Sequence, residues 1–119
     1  MSSVGAMRTQ SQFEMNQSAG RDLRAAEAEM DAILARLFKM AESKPESAAK
    51  LKHSQATWQA YRDAHVKAYW PSEDTRFYGS VHPMCVAIKL TAFTKERIAE
   101  LNDMLRRVEG DVCSCHWPD

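Results

Sequence analysis

The sequence predicts an all-α fold: an antiparallel bundle of three main helices, over residues 12–41, 44–70 and 81–109, with an aromatic loop at 71–80. Three observations carry this. No alternating run of β-branched residues marks a strand, and Ala, Glu, Lys, Arg, Leu and Met dominate. Apolar residues recur at spacings of three and four over long stretches. Two breaks, "ESKPES" and "PSEDTRFYGSVHP", separate those stretches.

The first helix opens on Ser11 and Glu14, spaced as a capping box. Its stripe is Leu23, Ala26, Met30, Ile33, Leu34, Leu37 and Phe38. Gly20 is a weak point near its start. The second helix has Ser43 and Glu46 as a second capping box, with Pro45 in the first turn. Its stripe reads Leu51, Gln55, Trp58, Tyr61, His65 and Ala68, and Pro71 ends it. The third helix buries Ala87, Leu90, Thr91, Thr94, Ile98, Leu101, Met104, Leu105 and Val108, and Gly110 suits the position just past its end.

A chain of 119 residues predicts a single domain, 1–119, with 1–10 and 111–119 as loosely held tails. Lys plus Arg equals Asp plus Glu, so the net charge is zero. That balance argues against nucleic acid and against an electrostatic membrane binder. No run approaches the roughly 20 apolar residues of a membrane span. The opening "MSSVGAMRTQSQ" lacks the regions of a signal peptide. Three cysteines, Cys85, Cys113 and Cys115, are an odd set and read as reduced thiols. The expected location is cytoplasmic; the alternative is periplasmic or secreted after removal of a leader.

Catalysis finds little support. Arg62 and Asp63 are adjacent on a helix and point about 100° apart, so each is expected to pair elsewhere, with another helix or the loop. His65 reads as a partly buried histidine and His53 as solvated. Cys113, Cys115 and His116 form C-x-C-H, yet a closed zinc site needs four ligands and no second close pair exists. No metal, no cofactor and no enzymatic activity are expected. The segment around the loop is the functional candidate, because Trp70, Arg76, Phe77, Tyr78 and His82 fall close together there and such residues anchor interfaces. In a second reading, Trp70 and Phe77 cap the open end of the bundle.

The stretches "QFEMNQSA", "SQATWQAYRDAHV" and "YGSVHPMCVAIKLTAFTKERIAEL" resemble the LprI-type lysozyme-inhibitor family, small bacterial helical proteins that are mostly secreted or lipid-anchored. The resemblance covers about residues 12–105. It falls on Met15, Asn16, Ala19, Trp58, Tyr61, Arg62, Asp63, Gly79, Ser80, Pro83, Met84, Leu90, Thr91, Arg97 and Leu101. These look like fold-defining positions, and Asn16, Trp58, Tyr61, Arg62, Asp63 and Arg97 are assigned structural roles. The resemblance implies cysteines where this chain has Ser18, Val66 and Val86, so the family's disulfides are absent at those positions. It implies a protein partner, such as a lysozyme.

The expected function is therefore a non-catalytic binding or inhibitor module acting sterically through the loop. The alternatives are a self-associating helical protein, as a homodimer, or a thiol- or metal-binding protein using Cys113, Cys115 and His116.

Overall fold

The computed structural model describes residues 10–106, 110–113 and 116–119. Helices α1 (Gln12–Met40), α2 (Pro45–Tyr69) and α3 (His82–Leu105) follow in chain order, with a 3-10 turn, Thr75–Tyr78, between α2 and α3. No strand occurs among the described residues.

Helix α1 starts where its capping box places it. The Ser11 hydroxyl accepts from the Glu14 amide at 3.1 Å, and the Glu14 carboxylate accepts from the Ser11 amide at 3.1 Å. Gly20 leaves α1 uninterrupted. The start of α2 differs from expectation. Lys44, not Ser43, is the N-cap, and it has no side-chain cap bond. Pro45 is the cause: the residue before a proline is pushed out of the helical region, and Lys44 sits at φ −126°, ψ 75°. Ser43 is thereby one residue too early to form a box with Glu46. Helix α3 ends at Leu105, where Arg106 turns extended at φ −83°, ψ 124°. The expected end at 109 and the Gly110 cap are both corrected. Val108 lies outside the described residues.

Asn16 near the start of α1 donates to the Ser80 carbonyl just before α3, at 3.0 Å. At the other end Leu37, Leu51 and Leu101 share one core cluster. Helices α1 and α3 are thus parallel, and α2 runs antiparallel to both. The small buried residues Ala19, Ala26 and Ala87 let α1 and α3 lie close, while α2 stands further out. The core proper is Met30, Ile33, Leu34, Leu37, Leu51, Ile98 and Leu101.

What fills the wider gap is long and polar. Only Leu51 and Arg62 of α2 are buried. Arg62 Nη1 donates to Glu27 on α1 at 3.3 Å and to the Thr94 hydroxyl on α3 at 3.4 Å. Its Nε reaches Asp63 at 3.2 Å, a pairing the helix geometry had argued against; the long arginine stem bends back to the next residue although the two Cβ atoms diverge. Arg97 binds Gln55 and Ser54 of α2 at 3.0 Å each, and Glu100 of its own helix at 3.0 Å. The Arg62 and Arg97 guanidiniums lie over the Trp58 ring at 5.2 and 5.9 Å from its centroid. Arg62 therefore joins helices rather than anchoring the loop, and Asp63 pairs with it from the same helix.

Residues 116–119, expected to be loosely held, fold back onto this end of the bundle. Trp117 packs against the core cluster. The Ser47 hydroxyl donates to the Pro118 carbonyl, and Asp119 pairs with Lys44 at 2.9 Å. Both bonds go to side chains, the Ser47 hydroxyl and the Lys44 ammonium, and they tie this segment to the start of α2. Trp117→Ala should lower stability by about 2 kcal/mol, near half the cost of a fully buried tryptophan. It should also speed amide exchange in the first turns of α2 while leaving the Trp70 end unchanged. An unaltered melting temperature would show that this packing contributes nothing.

Candidate partner-binding site

The loop is built by short-range bonds. Pro71 ends α2 after Trp70, which sits at φ −127°, ψ 80°. The Ser72 hydroxyl accepts from the Asp74 amide at 3.2 Å and donates to the Asp74 carbonyl at 3.1 Å. Asp74 caps the 3-10 turn by accepting from the Arg76 amide at 3.1 Å. Its carboxylate also takes Arg76 Nε at 2.9 Å and Nη2 at 3.1 Å. These bonds act in one direction on both groups. The Arg76 side chain, and then its amide, hold the Asp74 carboxyl below its ordinary range, and Asp74 raises the Arg76 guanidinium. The pair therefore persists at neutral pH and is lost only as acid passes through the lowered Asp74 value. Gly79 leaves the turn at φ +80°, a conformation that a side chain disfavours. Asn16 then fastens Ser80 to α1, itself held by Gln12 at 2.8 Å.

The structure brings Trp70, Arg76, Phe77, Tyr78 and His82 together, in two kinds of environment. Trp70, Tyr78 and His82 are half-buried and form the base. Tyr78 stacks on His82 at 4.8 Å, Trp70 meets His82 edge-on at 5.6 Å, and the Tyr78 hydroxyl accepts from the Ser72 amide at 2.7 Å. Phe77 and Arg76 project from that base. Phe77 is 79 % exposed, so it does not cap the bundle, and the Arg76 side chain is 89 % exposed. His82 separates two cavities. One, of about 450 Å³, is bordered by Asn16, Arg76 and Ser80; the other, of about 330 Å³, by Val66, Trp70 and Val86. The His82 Nδ1 atom is buried without a hydrogen-bond partner among the described residues.

The ring cluster extends further than the sequence reading placed it. Tyr69 contacts Trp70 at 4.8 Å and His65 at 6.4 Å, and His65 meets Tyr61 at 5.8 Å and Phe93 at 5.1 Å. Tyr61 is 58 % exposed and belongs to this ridge, not to the core, and Ala68 is exposed too. The i, i+4 spacing of Tyr61, His65 and Tyr69 was the available signal.

Val66 and Val86 border the same cavity, and Ser18 is half-buried on α1. Cys85 and Cys113 are free thiols, and Cys115 lies outside the described residues. Among the described residues no group of three or more His, Cys, Asp or Glu side chains is placed to hold a metal. Nor is any helix there long and apolar enough to cross a membrane.

A family model described as lysozyme inhibitor LprI matches residues 4–101. The chain belongs to the LprI family. The match takes in α1, α2, the whole loop and most of α3, and it stops short of residues 116–119. No curated protein and no solved structure matches the chain. The LprI family is one of inhibitors, not enzymes, and membership supports a lysozyme-inhibitor-like protein-binding role at the family level.

Proposed function

We propose that this protein is a steric inhibitor module whose 70–83 loop docks in or near the cleft of a lysozyme-type hydrolase. The observation that carries the reading is the exposure of Phe77 and Arg76 on a turn braced from beneath by Tyr78 and His82. An exposed aromatic beside an arginine, held rigid, loses little entropy on binding and is the residue pairing that anchors interfaces. The family match supplies the class of partner. The described cysteines are free, so the module needs no disulfide from them and can act where thiols stay reduced.

The test is a titration of the protein against lysozyme cell-wall lysis under reducing conditions. Stoichiometric inhibition that excess glycan substrate relieves supports docking at the cleft. Full lytic activity at a large molar excess of this protein removes lysozyme as the partner.

A further inference from the structure

Arginine presents five N–H groups in a planar fork. In Arg76 the side edge of the fork is occupied: Nε and Nη2 each donate one hydrogen to the Asp74 carboxylate, at 2.9 and 3.1 Å. The end edge, made by Nη1 and the second Nη2 hydrogen, is left for an outside acceptor. Asp74 also holds the Arg76 amide at 3.1 Å, so one carboxylate orders both the backbone and the guanidinium plane. A surface arginine ordinarily samples many rotamers, and ordering it on binding costs affinity. Here much of that ordering precedes binding.

The surroundings favour an anion. Arg76 borders the cavity of about 450 Å³ together with Asn16, Ser80 and His82. Helix α3 begins at this cavity, and its N-cap, Val81, makes no side-chain bond to the first turn. The positive end of the helix dipole therefore lies on the same space.

We propose that Arg76 is a preorganised receptor for a partner carboxylate, and that this carboxylate is one of the catalytic pair of a lysozyme-type hydrolase. The proposal rests on the reading given under Proposed function. Glycoside hydrolases of this kind place two acidic side chains beside the scissile bond. A guanidinium end edge matches a carboxylate with two parallel hydrogen bonds. The Asp74–Arg76 pair is together neutral, so the attraction is local and acts on dissociation more than on long-range encounter.

The experiment measures the affinity of the full chain for a retaining lysozyme, and for the two lysozyme variants in which one catalytic carboxylate is replaced by its amide. Arg76→Ala should weaken binding to the parent enzyme about 10- to 100-fold. Arg76→Lys should lose most of that affinity, because it keeps the charge without the fork. The double variant D74N/R76A should be as weak as Arg76→Ala. One of the amide variants should make Arg76→Ala nearly silent, which locates the contact. Melting should be unchanged throughout.

Two results overturn the assignment alone: Arg76→Ala binding like the parent, or D74N/R76A restoring parent affinity, which would reduce the loss to repulsion by an orphaned Asp74. Failure of the unaltered chain to bind the lysozyme overturns the function reading and the assignment with it.

Discussion

Replacing Arg62 with alanine is expected to lower the unfolding free energy by about 2–5 kcal/mol, mainly through the cavity left by its buried side chain. The side chain is 7 % exposed, and it joins three helices through Glu27, Thr94 and its own place on α2. Its removal leaves a cavity beside Trp58 and takes a cation from the face of that ring. Thr94 is fully buried; its hydroxyl donates to the Leu90 carbonyl at 2.7 Å and would lose the donor it accepts from. For a domain of this size the melting temperature should fall by on the order of 15 °C. Arg62→Lys should not rescue it, because an ammonium cannot reach partners on two other helices with a planar fork. Arg62→Met should be milder, within about 1.5 kcal/mol, since it keeps volume while Glu27, 37 % exposed, can take up water. Chemical denaturation of the three variants measures this. A cost below about 1 kcal/mol for the alanine variant would mean that the polar layer is incidental to the fold.

Phe77→Ala should do the opposite: leave stability within about 0.5 kcal/mol and weaken partner binding by about 2 kcal/mol or more, roughly 30-fold. The ring is 79 % exposed and meets Tyr78 edge-on at 5.2 Å. Little is lost from the fold when it goes, whereas an interface centred on it would lose its anchor. Tyr78→Phe is the matched comparison. It removes the acceptor for the Ser72 amide and should loosen the loop by about 1 kcal/mol. Thermal melts and inhibition titrations on the same samples separate the two roles. A large drop in melting temperature for Phe77→Ala would make it a packing residue and return the site search to the ridge at Tyr61 and Tyr69.

The parts legible in the sequence were those made by neighbours along the chain. Ser11 and Glu14 are three residues apart, and their reciprocal bonds formed as spacing alone predicts. The stripe of α1 from Ala26 to Leu37 was readable because a 3.6-residue period admits one inward face. The failure at Ser43 was also local. Pro45 constrains Lys44, and that rule outranks the capping pattern.

The face of α2 was legible only in its first half. Leu51 and Trp58 turn inward as their stripe predicts, but beyond them Tyr61 and Ala68 are exposed and Arg62 is buried. What decides the second half lies far along the chain. Arg62 is 35 residues from Glu27 and 32 from Thr94. A buried charge is tolerable only where such partners converge.

The sequence by itself determined the three helices, the α1 cap, the apolar face of α1, the close grouping of the loop residues and the family. Each depends on contacts within a turn or two of helix, or on residue order. The tertiary structure alone decided which side of the second half of α2 turns inward, that Trp117 returns to the core, and that Phe77 and Arg76 project while Tyr78 and His82 brace them. Those outcomes depend on which distant groups meet, and the meeting is set by packing three helices at once, which no local spacing records.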